Sequence, residues 1–102
     1  MKRILLVGLD PATVDFSDPA LPPGMSAEKI HNPDATAVPA VERRLAESRY
    51  DCMVIGAGVR LPPSRLVLFE AVVNPIHRAA PDAAIAFNTR PEDTGAAAAR
   101  WI

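Results

Sequence analysis

The sequence predicts an α/β domain built on a small parallel three-stranded sheet, with helices mainly on one face. Three observations predict it. The runs Ile4-Leu5-Leu6-Val7 and Cys52-Met53-Val54-Ile55 are apolar without alternation, the mark of strands buried on both faces, as in a parallel sheet. Helical patterns separate the strand candidates, and such alternation gives a parallel sheet with right-handed crossovers. The chain has 102 residues, so residues 1–102 read as a single α/β domain.

Lys2 to Gly8 is the first strand. Leu9 to Met25 follows as a long irregular stretch with Pro11, Pro19, Pro22, Pro23 and Gly24, and with Asp10, Asp15 and Asp18. A loop of that length in a small domain is usually functional or mobile. Ser26 caps a helix start, Ser26-Ala27-Glu28-Lys29-Ile30-His31, and Asn32-Pro33-Asp34 stops it, because the residue before a proline avoids helical geometry. Thr36 caps a second helix with Pro39 in its first turn. Val38, Val41 and Leu45 form its apolar stripe, against a wet face of Glu42, Arg43, Arg44, Glu47 and Arg49.

Cys52 to Ile55 is the second strand and Gly56 to Pro63 its exit loop. Ser64 caps a third helix through about Asn74, which Pro75 kinks or ends before a last turn near His77. The apolar residues from Leu66 to Ile76 make this helix wider than one core stripe requires. A buried core helix and a subunit or partner interface account for that equally. Ala83 to Phe87 is the third strand, with Ile85 and Phe87 on one face and alanines on the other. Thr89 and Glu92 match capping-box spacing ahead of an alanine-rich last helix, Thr94 to Ile102, with Pro91 in its first turn.

Composition excludes several classes. At 49% hydrophobic the chain is too apolar to be disordered, and a net charge of −1 is no electrostatic footprint for nucleic acid or an anionic membrane surface. One cysteine makes no internal disulfide, and with two histidines it is too little for a structural zinc site. No apolar run approaches the ~20 residues of a membrane span. The opening run ends at Gly8-Leu9-Asp10-Pro11, too early for a signal peptide. The expected location is the cytoplasm, with no cofactor.

If the strands sit in sequential order, every crossover steps the same way and the helices gather on one face. The other face, apolar at both buried strands, then needs a cover. Leaving several hundred Å² bare is unfavourable at roughly 25 cal/mol per Å². The Ser26–His31 segment, the proline-rich loop or a second copy must supply that cover, and a homodimer is the expectation.

Lys2-Arg3-Ile4-Leu5-Leu6-Val7, Tyr50-Asp51-Cys52-Met53-Val54-Ile55-Gly56 with Arg60-Leu61-Pro62, and Ala80-Pro81 with Ile85 to Thr89 resemble the strands of response-regulator receiver domains, which have a flavodoxin-like fold. The resemblance covers about half the chain and implies a shortened member of that fold. It does not carry over the function. That family's acidic Mg²⁺-holding pair would fall at Gly8 and Leu9 and its phosphoacceptor aspartate at Gly56, and a second strand is missing between His31 and Asp34. Val7-Gly8-Leu9-Asp10-Pro11, Val14 to Pro19 through Gly24-Met25, Val54 to Arg60 and Phe87-Asn88-Thr89 also resemble a group of short bacterial proteins. That likeness implies no activity.

In a parallel α/β sheet, ligands bind outside the carboxyl ends of the strands. Asp10, Asp15, Gly56, Gly58, Arg60, Asn88 and Thr89 are therefore the candidate ligand-binding residues, with Asp18 and Arg90 nearby. Helix N-termini at Ser64 and Thr89 suit a small anionic ligand, and Gly56 and Gly58 would let it approach the backbone. The same residues also read as turn and cap residues. Gly56-Ala57-Gly58 is only part of a dinucleotide fingerprint, since Leu61 stands at the third glycine position. The spacing of Asp10, Asp15 and Asp18 fits no EF-hand loop. His31 and His77 sit near helix ends, and Cys52 in a central strand reads as a small buried hydrophobe. No catalytic residue and no metal ligand is assigned. Two functions stay open: a non-enzymatic receiver-like interaction or regulatory module that self-associates, and a binder or small hydrolase or transferase acting on a small anion or phosphate ester.

Overall fold

The computed structural model describes residues 2–8, 23–31, 36–89 and 93–102. Strands β1 (Lys2–Gly8), β2 (Met25–His31), β3 (Cys52–Ile55) and β4 (Ala84–Phe87) form one parallel sheet in the order β2-β1-β3-β4. The two unalternating apolar runs are its inner strands. Ile4 to Val7 and all of β3 are at most 2% exposed.

The sheet has four strands where three were expected, and its order is not sequential. Met25–His31 is an edge strand, not a helix start. A second strand is thus present, ahead of His31 rather than after it. Helix preference at these residues amounts to tenths of a kcal/mol each, and pairing along β1 outweighs it. Ala27 lies beside Ile4 and Ile30 beside Val7, so the segment alternates and adds apolar residues to both faces. Gly24 sets the entry. Its φ of 84° is a left-handed conformation that side chains other than glycine rarely adopt, and its carbonyl accepts the Lys2 N–H at 2.9 Å, opening the ladder.

Helices α1 (Ala37–Glu47) and α3 (Leu66–Ala79) pack through Val41, Val72 and Ile76 on the face of Leu5, Val7, Met53 and Ile55. The chain from Gly56 to Pro63 is not an open loop. It holds the one-turn helix α2 (Ala57–Arg60), which adds Val59 to that core, and a 3-10 turn at Pro63–Arg65 leads into α3. Pro75 does not end α3. The helix runs on to Ala79 with Pro75 and Ile76 buried, and the Asn74 side-chain amide donates to the Glu70 carbonyl at 2.9 Å. The extra apolar width of α3 divides between two uses: Val72 and Ile76 are fully buried, whereas Leu66 is 58% and Val67 77% exposed.

Helix α4 (Thr94–Ala99) crosses to the other face, so the helices are not confined to one side. Ala97 and Ala98 pack there with Ile4, Leu6, Cys52, Val54 and Ala86. Alanine against alanine lets this short helix lie close to β4. The face expected to be bare is therefore buried within one chain, and the argument for a second copy from an uncovered back does not hold. Among the described residues, no helix is long and apolar enough to cross a membrane.

A charged cluster holds β2 at the amino edge. The Glu28 carboxylate accepts from Arg3 Nη2 at 2.6 Å and from Arg44 Nη1 at 3.0 Å, tying β2 to β1 and α1. The Arg3 guanidinium lies 4.7 Å from the Tyr50 ring, and the Arg3 N–H donates to Asp51 at 2.8 Å. The buried Tyr50 hydroxyl lies beside Glu28 and Arg44, short of full hydrogen-bond geometry with either. The hydrogen bond from Arg3 holds the Glu28 carboxyl below its ordinary value. A carboxyl lowered on folding stabilises the fold above its unfolded pKa, and that contribution disappears as pH falls through the lowered value. Thermal melts of Glu28→Gln are expected to show a lower Tm than wild type at neutral pH. The gap should close as the pH drops below the ordinary carboxylate range. A gap that stays constant across that range contradicts the role of the ionised carboxylate.

Candidate functional site

The carboxyl ends of β1, β3 and β4 are the edge at which a parallel sheet places its ligands. Gly56 follows β3, Asn88 follows β4, and the chain turns at each into helices on opposite faces. Asn88 is 2% exposed and sits between them. Its Oδ1 accepts the Ala57 N–H at 2.9 Å, in the first turn of α2. Its Nδ2 donates to Thr94 Oγ at 3.1 Å, in the first turn of α4. Its own carbonyl accepts Arg60 Nη2 at 2.7 Å. A buried amide must find such partners, and one short polar side chain at the strand exit finds them on both helices.

Arg60 reaches this edge from α2. Its guanidinium lies 5.3 Å from the Phe87 ring, which packs at a tilt against Phe69 with centroids 5.9 Å apart. Arg60 Nε is buried and has no hydrogen-bond partner among the described residues. Thr89 is exposed. Its N–H donates to the Asp93 carboxylate at 3.1 Å, and its hydroxyl donates to the same group. The acid that answers Thr89 is thus Asp93, at a spacing of four. Glu92, at capping-box spacing, lies outside the described residues, as do Asp10, Asp15, Asp18 and Arg90.

The two glycines differ. Gly56 is buried, its N–H donates to the Val7 carbonyl at 2.8 Å, and a Cβ there would stand 3.1 Å from that same oxygen. It is glycine because β1 passes close, which is a packing reason. Gly58 is exposed in α2, and a Cβ there would meet nothing within 4 Å.

The structure brings Gly56, Arg60, Asn88 and Thr89 to one edge, but their polar groups bond largely to the protein itself. The Ala57 N–H, at the start of α2, is held by Asn88. Cys52 is fully buried, and burial pushes its thiol up to about 11, so it stays protonated and unreactive. His77 lies in the exposed last turn of α3, and His31 ends β2 rather than a helix. Among the described residues, no group of three His, Cys, Asp or Glu could hold a metal ion.

A cavity of about 320 Å³ opens at the opposite, amino edge, lined by Leu45, Ser48, Tyr50, Pro81 and Asp82 among others. Sequence reasoning missed it, because it forms between the ends of α1 and α3, which are far apart along the chain. Arg49 and Asp82 approach to 3.9 Å at this edge, but both are almost fully exposed, and such a pair adds little.

Urea denaturation separates the structural roles at the carboxyl edge. Asn88→Ala orphans the Ala57 N–H, removes one bond from Thr94, and is expected to cost about 2 kcal/mol. Gly56→Ala is expected to destabilise by forcing β3 away from β1. Gly58→Ala should be neutral or stabilising by up to about 1 kcal/mol, as for Gly→Ala in an exposed helix. Equal tolerance of alanine at both glycines contradicts the packing role of Gly56.

Comparison of the chain with protein-family models, with curated proteins and with solved structures found no match.

Proposed function

We propose that this chain is a non-enzymatic, receiver-like interaction or regulatory module that self-associates. The observation that carries the reading is the closure of the carboxyl edge: Asn88 bonds α2, α4 and Arg60, and Thr89 bonds Asp93. Among the described residues most polar groups of this edge satisfy one another, an arrangement that holds shape more than it binds. The strand order β2-β1-β3-β4 is the opening of the flavodoxin-like order, which supports the receiver-like part of the reading. At the end of β3, where a receiver presents its phosphoacceptor, this chain has Gly56 packed against Val7 and no side chain to modify.

Incubation with Mg²⁺ and acetyl phosphate is expected to leave the intact mass unchanged. A gain of one phosphoryl group overturns the reading. Light scattering is expected to return the mass of a dimer.

A second reading, a binder of a small anion or phosphate ester, is favoured by one observation: Arg60 Nε is buried at this edge without a partner among the described residues. A thermal-shift series with inorganic phosphate and phosphate esters separates the two. Stabilisation that disappears in Arg60→Ala supports the anion site. No stabilisation in either protein supports the interaction module.

A further inference from the structure

The two edges of the sheet differ in a way that points to a partner. An open strand edge is a template for another strand, and proteins that keep an edge unpaired blunt it with charges or prolines. Strand β2 is blunted, carrying Glu28 and Lys29, with Glu28 in the Arg3–Arg44 cluster. Strand β4, Ala84-Ile85-Ala86-Phe87, has no charge and no proline. The Ala84 N–H donates to the Asp51 carbonyl at 3.0 Å, so Ala84 and Ala86 turn their backbone groups toward β3. Ile85 and Phe87 then turn theirs to the outer side, where no strand pairs with β4 among the described residues and the Phe87 carbonyl takes Arg100 Nη2 at 3.1 Å.

We infer that β4 pairs antiparallel with β4 of a second copy, about a two-fold axis at Ile85, joining the two sheets into one. The inference rests on the self-association proposed above and names its surface. Two features of this strand fit a copy of itself. The first is size. With Ile85 opposite itself, Phe87 stands opposite the partner's Ala83, large against small on one face, and the alanines Ala84 and Ala86 stand opposite one another on the other face. The two Ile85 residues exchange a reciprocal pair of backbone bonds, and the Phe87 N–H meets the partner's Ala83 carbonyl. The second feature is charge. Asp82, 88% exposed at the start of the strand, comes opposite the partner's Asn88, whose carbonyl holds the partner's Arg60 and whose neighbour Phe87 holds the partner's Arg100. Asp82, exposed and only loosely paired with Arg49, thus meets an end that holds two arginines beside one carboxylate, Asp93, twice by symmetry. Leu66 and Phe87, exposed on the α3 side, extend the apolar surface beside the seam.

Amide hydrogen exchange, read residue by residue in dilute and in concentrated protein with light scattering alongside, tests this. The expected result is a dimer in which the Ile85 amide slows by roughly an order of magnitude or more on association. The exposed substitution Asp82→Arg should weaken the dimer about ten-fold. A dimer whose Ile85 amide exchanges freely overturns this surface and leaves self-association standing. A protected Ile85 with Asp82→Arg as tight as wild type overturns the antiparallel register. A monomer at every concentration overturns both this inference and the reading beneath it.

Discussion

Asn88 leaves β4 with its side chain buried, and the two helix starts that it bonds belong to opposite faces of the sheet. Helix α2 contributes Val59 to the core beneath α1 and α3, while α4 lays Ala97 and Ala98 on the other side. One amide therefore joins the two layers around the carboxyl edge. Each bond adds only about 1 kcal/mol net, but an orphaned buried donor costs more than that. This asymmetry is what makes Asn88 a constraint. With the amide in place, Arg60 is drawn onto the Asn88 carbonyl and over Phe87, and the edge closes.

The same arrangement explains how so small a sheet hides both of its faces. β1 and β3 are apolar on both sides and need cover on both. The larger layer, α1 and α3, uses branched side chains, Val41, Val72 and Ile76. The thin layer, α4, uses alanines that let a short helix lie close to Ala84 and Ala86. Among the described residues, what the layers leave open is the side of the sheet. There the chain treats its two ends unequally, with charges along β2 and none along β4.

Much of this was legible in the residues. Ile4 to Val7 and Cys52 to Ile55 announced inner strands because a run without alternation has no wet face to offer. Ile85 and Phe87 against alanines announced the two faces of β4. The misreadings have a common cause, which is that local signals lost to distant partners. Ser26 to His31 has good helix chemistry, but β1 offered a ladder. Pro75, expected to kink or end the helix, does not end α3, and its ring is buried there. The site shows the same pattern. Asn88 and Arg60 were picked out as polar residues at a strand exit, which was right about place. That they bond to each other, to Ala57 and to Thr94 depends on contacts across 6 to 31 residues of chain. No local pattern encodes such contacts.

The account of function turns on whether the carboxyl edge is closed by its own residues in solution. The amide of Ala57 reports on this most directly, because it sits at the first position of a one-turn helix, where no backbone acceptor within the helix can protect it. Residue-resolved hydrogen exchange under native conditions is predicted to find the Ala57 amide slowed well below the rate of an unstructured chain, through its bond to Asn88. Free exchange at Ala57, with the β3 amides still protected, would mean that the edge stands open and would contradict the account.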